Sequence, residues 1–135
     1  MTGDPFTAAL HGDLFSTSEM RTLLGDGARV AAMVRVEAAL ARAEAAAGVI
    51  PADAAAAISA AAASFAPDLA AIGAGSDTAG VPIPALVAQL RRHVGGDAAA
   101  WVHWGATSQD IIDTVLVLTL REALVLFECR LETLA

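Results

Sequence analysis

Residues 108–135 read SQDIIDTVLVLTLREALVLFECRLETLA, and this stretch decides the fold. Its apolar residues face most sides of a helix, which would extend on the order of 40 Å at the usual rise per residue. A helix of this kind needs other helices around it, so we expect it to lie inside a bundle. A buried strand over 111–119 is the alternative, but the pattern continues unbroken through Leu124 and outruns strand length.

Composition predicts the same helical class. The chain has 135 residues, of which 56% are hydrophobic and 4% aromatic, and alanine dominates the apolar part. Alanine-rich sequences favour close helix packing, whereas sheets are rich in β-branched and aromatic residues. The sequence therefore predicts an all-α protein with room for one ordinary domain. Its single cysteine, Cys129, is expected to be a small core residue.

Charge and hydropathy argue against two kinds of partner. The net charge is −7 and the eight basic residues are scattered arginines, only Arg91 and Arg92 being adjacent, so a nucleic-acid partner is not expected. Charged residues at 113, 121 and 122 interrupt the most apolar segment, which argues against a membrane-spanning helix. Because no basic stretch precedes an apolar one near the amino terminus, we expect a cytoplasmic protein without a secretory signal.

Local signals predict two helices in the first third of the chain. Ser16 and Glu19 have the spacing of a capping box, which predicts the start of a short helix. The Gly-Asp-Gly sequence at 25–27 should end this helix. A second helical pattern then occupies 28–47, and Gly48 is its natural stop.

Two acidic residues share one side of the second predicted helix. Glu37 and Glu44 lie seven residues apart, and Arg35 and Arg42 each precede one of them by two positions. Charged rows on helices are usually surface features. We therefore interpret this side as a solvated edge with ion pairs.

Proline and glycine set the predicted boundaries in the middle of the chain. Pro51 and Asp53 open an alanine-rich helix that ends near Ser64. Pro67 suits the first turn of a shorter helix, which Gly73 closes.

A loop and a compact helix are predicted next. Residues 73–84, GAGSDTAGVPIP, are rich in loop-forming residue types and predict a loop. An amphipathic helix over 85–94 follows and is stopped by the glycines at 95–96. Asp97 can then cap one more turn, through Trp101.

The candidate functional site lies just before the long helix, in WVHWGATSQDIIDT at residues 101–114. Thr107 or Ser108 at the helix start offers a hydroxyl beside free backbone N–H groups, and the helix dipole adds positive potential there. Such a helix end binds carboxylates or phosphates without a metal. The alternative is a purely structural cap, because Thr107 and Asp110 also have capping spacing and Asp113 suits the first turn.

Two stretches resemble a known superfamily. The run HWGATSQDIIDT, residues 103–114, resembles the first signature region of the fumarase/aspartase superfamily, in the version found in 3-carboxy-cis,cis-muconate cycloisomerases and, more distantly, in adenylosuccinate lyases. The stretch VEAALARAE at 36–44, continued by GVIP at 48–51, is similar to the N-terminal helix pair of that superfamily. The resemblance implies an all-α fold with an N-terminal helical domain over residues 1–107. Residues 108–135 would be the first part of a long central-bundle helix.

The resemblance also implies residue roles. In this superfamily the Thr-Ser pair of the first signature region holds a substrate carboxylate, which assigns substrate binding to Thr107 and Ser108. The preceding histidine corresponds to His103, and Gln109 would lie beside the pair as a polar contact. The two aspartates of the region are interpreted as supports, since a carboxylate that faces an anionic substrate is repelled. The two tryptophans are interpreted as packing residues.

The implied reaction is the lactonisation of 3-carboxy-cis,cis-muconate to 4-carboxymuconolactone. A carboxylate adds across a carbon–carbon double bond, through an aci-carboxylate-like intermediate, with neither a cofactor nor a metal. The catalytic residues of the other signature regions would lie beyond residue 135, so none is assigned here and the 135-residue chain is expected to be inactive alone. Related enzymes are homotetramers whose composite active sites bind small polycarboxylates.

Two other functions stay open at this point. One is a lyase that eliminates fumarate from a succinyl adduct, as adenylosuccinate lyase does, although no basic cluster for a nucleotide phosphate is evident near His103. The other is a non-catalytic helical oligomerisation module, since fold alone does not fix function. One departure bears on substrate identity: the chain has Val81 in Gly80-Val81-Pro82, where the superfamily commonly has asparagine.

Overall fold

The computed structural model describes residues 12–134, in which every regular element is a helix. In chain order these are α1 (Gly12–Phe15), α2 (Ser18–Leu24), α3 (Asp26–Ala46), α4 (Ala52–Ser64), α5 (Leu69–Ala79), α6 (Ile83–Val94), a 3₁₀ helix (Asp97–Trp101) and α7 (Ser108–Leu134). The prediction of an all-α fold is therefore confirmed. The alternative of a strand over 111–119 is wrong, because these residues belong to α7.

Helix α3 is the centre of the core because one of its sides is apolar at helical spacing. Val30, Met33, Val34 and Ala41 are all buried on this side. The same core cluster includes fully or almost fully buried side chains of α4, α6 and α7, namely Ile58, Leu86, Leu90 and Ile111. This packing brings the first turns of α7 against the middle of α3, where the candidate site lies.

The start of α2 differs from the prediction by one residue. Thr17 is the cap, and its Oγ1 accepts a hydrogen bond of 3.3 Å from the backbone N–H of Met20. The carboxylate of Glu19 instead accepts from the Ser18 hydroxyl. The predicted capping box of Ser16 and Glu19 is therefore wrong, because the neighbouring threonine has the geometry that suits the cap.

The break before α3 is shorter than predicted. Gly25 alone separates α2 from α3, and its carbonyl already accepts from the N–H of Arg29 at 3.0 Å. Asp26 lies in the first turn of α3, where the helix dipole favours a carboxylate. The stop at Gly48 is confirmed: its φ is +71°, and its N–H donates to the carbonyl of Ala45.

The predicted loop over 73–84 is wrong for its first seven residues, because α5 continues through Ala79. Helix α5 begins after Asp68, whose carboxylate caps it, and Gly73 does not close it. Its true end is Gly80, which has a φ of +75°. Gly75, inside α5, permits close packing, because a Cβ there would lie only 2.6 Å from the Cβ of Ala85 in α6.

The remaining boundaries agree with the sequence more closely. Helix α4 ends at Ser64 as predicted, α6 begins two residues earlier than predicted, and Gly95 ends α6. The turn from Asp97 to Trp101 is a 3₁₀ helix, but the prediction that Asp97 caps it is wrong, because Gly96 occupies the cap position and Asp97 lies inside the turn. Cys129 is exposed on α7, so its predicted place in the core is wrong for the described residues.

The length and hydropathy of the helices show which of them could cross a membrane. Among residues 12–134, no single helix is long and apolar enough to span a bilayer. Helices α4 and α5 reach that length and hydropathy only as a pair, across a break at which the chain bends by 115°.

Two glycine-to-alanine substitutions in α5 are expected to have opposite effects on stability. Gly75→Ala should destabilise the chain by about 1–3 kcal/mol, because the new methyl group would overlap Ala85 in the adjacent helix. Gly73→Ala, in the same helix and with nothing within 4 Å of the added Cβ, should stabilise it by roughly 0.5–1 kcal/mol. Urea denaturation followed by circular dichroism measures both. Equal effects of the two substitutions would contradict the close α5–α6 contact.

Candidate functional site

The chain enters α7 through a tight loop at residues 102–107. Val102 is buried, and its carbonyl accepts a hydrogen bond of 2.9 Å from Arg91 Nη2 at the end of α6. Two residues of the loop have left-handed backbone conformations: Gly105, with a φ of +65°, and His103, with a φ of +60°. Glycine adopts this conformation freely, whereas for histidine it costs about 1–2 kcal/mol. The fold therefore holds His103 in a strained position.

The first turn of α7 carries unpaired backbone donors. Among residues 12–134, no hydrogen-bond partner is found for the backbone N–H groups of residues 108–110. Ser108 is half-buried, and its hydroxyl makes no hydrogen bond to a described residue. Together with the dipole of a 27-residue helix, these groups leave free donors and positive potential at the amino end of α7.

Thr107 makes the capping arrangement that the sequence left open as the structural alternative. Its backbone N–H and its hydroxyl both donate to Asp110 Oδ2, at 2.8 and 3.0 Å. These hydrogen bonds, the backbone one first, hold the pKa of Asp110 below its ordinary value. The Thr107 side chain is exposed, but its proton is already engaged, so an incoming carboxylate would have to displace Asp110.

Gln109 points to a neighbour on its own helix. Its side-chain amide donates to Asp113 Oδ1, one turn further along α7, and both residues are exposed. The structure thus brings Ser108 and the helix-end N–H groups together as free donors. Thr107 and Gln109 lie beside them with their donors occupied.

His103 is held by a residue that the sequence analysis placed elsewhere. Its Nδ1 lies 2.7 Å from Glu37 Oε1, and the side chain of Glu37 has 0% exposure. Burial raises the pKa of Glu37 above its ordinary value, and the charge of His103 opposes this rise. The interpretation of Glu37 as part of a solvated edge is therefore wrong, because it lies on the apolar side of α3 with Val34 and Ala41.

Glu44 lies two turns further along α3, next to the same loop. A Cβ at Gly105 would be 3.9 Å from Glu44 Oε1, and Glu44 Oε2 is buried without a hydrogen-bond partner in the described chain. Desolvation raises the pKa of Glu44, while His103 lowers it. Glu44 is half-buried, so the solvated-edge interpretation fails for this residue as well.

The aromatic rings of Trp101 and Trp104 contact each other. Their ring centroids are 4.6 Å apart and the ring planes are inclined by 55°. Trp101 packs against the core as predicted, whereas Trp104 remains 45% exposed. Within residues 12–134, no group of three or more His, Cys, Asp or Glu side chains is arranged to hold a metal ion.

Comparison with known proteins gives the class of the fold. No protein-family model matches the chain. The crystal structure of a fumarate lyase from Mesorhizobium has a TM-score of 0.84 and 45% identity, over 87% of this chain and 28% of that one. The chain belongs to the fumarase/aspartase superfamily of helical enzymes.

Two curated relatives show which enzymes of this superfamily the chain resembles in sequence. The 3-carboxy-cis,cis-muconate cycloisomerase of Pseudomonas aeruginosa is 48% identical over 124 residues, which are 90% of this chain and 27% of that protein. The N-acetyl-S-(2-succino)cysteine lyase of Enterococcus italicus is 41% identical over 111 residues, which are 81% of this chain and 24% of that protein. The chain thus spans about a quarter of the length of these two relatives.

Proposed function

We propose that the chain is part of a longer enzyme that lactonises 3-carboxy-cis,cis-muconate to 4-carboxymuconolactone, and that it supplies a carboxylate-binding part of the active site. Residues 1–107 would be its N-terminal helical domain, and α7 the first part of a central-bundle helix. The observation that carries the proposal is the amino end of α7, where unpaired N–H groups adjoin a free serine hydroxyl. The 48% identity to a cycloisomerase supports this choice of substrate.

The proposed task of this site is to hold a substrate carboxylate. Ser108 would donate its hydroxyl, and the N–H groups of residues 108–110 would point their dipoles at the same anion. His103 would add a ring N–H from the adjoining loop. Thr107 and Gln109 would contribute once the anion displaces their present acceptors, Asp110 and Asp113.

Fixed donors of this kind also favour the reaction electronically. When one carboxylate adds across the double bond, negative charge develops on the carbon side as an aci-carboxylate. Preorganised donors stabilise that charge without reorganising. The proton delivered to carbon must come from another acid, which we place outside this chain, in a homotetramer with composite active sites. No cofactor or metal enters the proposal.

A fumarate-eliminating lyase is the second candidate, and the 41% identity to N-acetyl-S-(2-succino)cysteine lyase favours it. Val81, in place of the common asparagine, also leaves substrate identity less constrained. Comparing turnover of 3-carboxy-cis,cis-muconate with turnover of adenylosuccinate and N-acetyl-S-(2-succino)cysteine by the longer enzyme separates the candidates. Turnover of only a succinyl adduct would reject the cycloisomerase. Turnover of none would favour a non-catalytic helical module.

Ser108→Ala is expected to lower kcat/KM of the longer enzyme by about 10- to 100-fold, the equivalent of one hydrogen bond to a charged group. The fold should stay intact, because the Ser108 hydroxyl bonds to no described residue. Thr17→Ala is the matched control, since it removes a true helix cap at a cost of about 1 kcal/mol of stability and leaves the site untouched. If Ser108→Ala reduced stability like the control and left kcat/KM unchanged, Ser108 would be merely structural.

A further inference from the structure

The contact between Glu37 and His103 is unusual for a helix-packing core. A completely buried carboxylate lies 2.7 Å from an imidazole nitrogen, and its second oxygen, Oε2, has no hydrogen-bond partner among the described residues. An isolated buried charge costs several kcal/mol unless it is paired. Packing alone would favour an apolar residue at position 37, because its neighbours on that side of α3 are apolar.

The backbone conformation of His103 adds a second unfavourable contribution to stability at the same contact. His103 has a φ of +60°, although glycine is the residue that tolerates this conformation, and glycine does occupy it at Gly105. The left-handed backbone keeps the imidazole on Glu37 while the chain turns into α7. The buried carboxylate and the strained backbone are thus two independent unfavourable contributions to stability, and both occur at the Glu37–His103 hydrogen bond.

Few protonation states are possible for the pair of Glu37 and His103. If Glu37 is ionised and His103 neutral, Nδ1 carries the ring proton and donates it to Glu37, so Nε2 has a bare lone pair. One further proton can lie on either partner, giving imidazolium with carboxylate or neutral imidazole with carboxylic acid. In both arrangements Nδ1 faces Glu37, and Nε2 carries an N–H. A single proton on the pair therefore converts Nε2 from an acceptor into a donor.

We propose that Glu37 is the positioning residue for His103: it holds Nδ1, fixes the ring, and shares one proton with it so that Nε2 offers an N–H to a substrate carboxylate. This rests on the proposed function only for the identity of the anion. Binding a carboxylate at Nε2 favours the protonated pair, so the pair takes up one proton as substrate binds.

Charged groups from each adjoining element act on the pair. Glu44, on the same helix, and Asp110, in the first turn of α7, each interact electrostatically with His103. Burial raises the pKa of Glu37, and Glu44 raises it further, whereas Arg91 of α6 opposes this rise. Among residues 12–134, Glu37 alone is hydrogen-bonded to the ring, so its effect should dominate.

The first test follows the proton on Nε2 without using activity. Diethyl pyrocarbonate transfers its ethoxycarbonyl group only to an unprotonated imidazole nitrogen, and fragment-ion mass spectrometry separates His103 from His11 and His93. In Glu37→Gln, the pH at which His103 becomes half reactive should fall by about one unit or more, because the opposing charge at hydrogen-bond distance is gone. Glu44→Gln makes the same chemical change without a hydrogen bond to the ring and should give a clearly smaller shift.

Glu37→Asp is a second variant that keeps the proposal testable if the glutamine variant misfolds. It retains the negative charge and shortens the side chain by one methylene. It should shift the midpoint less than Glu37→Gln. If the variants of Glu37 left the reactivity profile of His103 unchanged, or if Glu44→Gln shifted it as much as Glu37→Gln, the proposal would be overturned.

The second test uses the longer enzyme. Glu37→Gln should raise KM for 3-carboxy-cis,cis-muconate by about tenfold or more near neutral pH while kcat falls less, and Glu37→Asp should recover part of the loss. The rise in KM should shrink as the pH falls and protonates the imidazole directly. An unchanged KM would contradict the role in binding. If the enzyme instead lacked cycloisomerase activity while the reactivity shift persisted, the Glu37–His103 coupling would stand and only the proposed substrate would fail.

Discussion

Replacing His103 by alanine is expected to destabilise the chain by about 3 kcal/mol at neutral pH, the lower end of the range for breaking a buried ion pair by removing one partner. The reason is not the loss of an attractive contact alone. The change leaves the Glu37 carboxylate fully buried with neither oxygen hydrogen-bonded to a described residue. Urea denaturation followed by circular dichroism, at several pH values, measures the effect.

The pH dependence of this loss has a definite sign. Burial raises the folded-state pKa of Glu37 above its unfolded value. Such a carboxyl contributes stability that is fully present below its unfolded pKa, near 4, and is lost as the pH rises through the raised folded-state pKa. Removing His103 removes the charge that opposes the rise. The penalty of His103→Ala should therefore be smallest in acid and grow as the pH rises toward neutrality.

A double variant separates the buried charge from general damage to the loop. Glu37→Met is close in volume to glutamate and apolar, so Glu37→Met/His103→Ala should be more stable than His103→Ala alone. His103→Gly should also exceed His103→Ala in stability, by about 1 kcal/mol, because glycine accepts the φ of +60°. His93→Ala is the control: its imidazole contacts the Ser64 hydroxyl at an exposed site, and the change should cost under about 1 kcal/mol. A double variant no more stable than His103→Ala would contradict the importance of the buried carboxylate.

The long-range pairing at Glu37 could be approached from the sequence but not completed. Val30, Val34, Glu37 and Ala41 follow the spacing of a single helix side, which is a signal that an acid there is buried. The general rule that charged residues on helices are solvated favoured the opposite interpretation. This rule is wrong for Glu37. The partner could not be found, because His103 lies 66 positions away along the chain and reaches Glu37 only through an unusual φ.

The boundaries of α5 illustrate another limit of sequence reasoning. Glycine has two opposite uses in helical proteins, as a terminator and as a small surface for close packing. The sequence around Gly73 and Gly75 favoured the first use by local rules, whereas the contact with Ala85 in α6 shows the second. Local residue types sufficed for Gly48 and Gly95, because a positive φ at a helix end is a local requirement.

The start of α7 was predictable because its signals are local. A Thr-Ser pair before an apolar helix sets both the helix start and its unpaired N–H groups. Which hydroxyl stays free was not predictable, since Thr107 turns to Asp110 while Ser108 does not. The choice depends on side-chain rotamers, and no spacing rule resolves it.

The 135-residue chain by itself is expected to self-associate at micromolar concentration and to show no turnover of 3-carboxy-cis,cis-muconate. Along α7 only Ile111, Val115 and Ala123 are buried against the described residues. The large apolar side chains that remain more than half exposed are Leu116, Val117, Leu120, Leu124, Val125, Phe127, Leu131 and Leu134. So many apolar side chains along one helix form an apolar surface of the kind that marks an interaction site, because leaving it in water is costly.

Association should depend on that apolar surface of α7 and not on non-specific aggregation of the chain. Leu120 and Leu124 lie one turn apart, so Leu120→Glu/Leu124→Glu places two like charges within it and should shift the sedimenting species toward the monomer. Thr114→Glu adds charge to the same helix at an exposed polar position and should not. Sedimentation velocity across a concentration series distinguishes the three proteins. A wild-type chain that stays monomeric at high concentration would show that α7 needs no partner, and measurable turnover would show that the donors at its amino end suffice for catalysis.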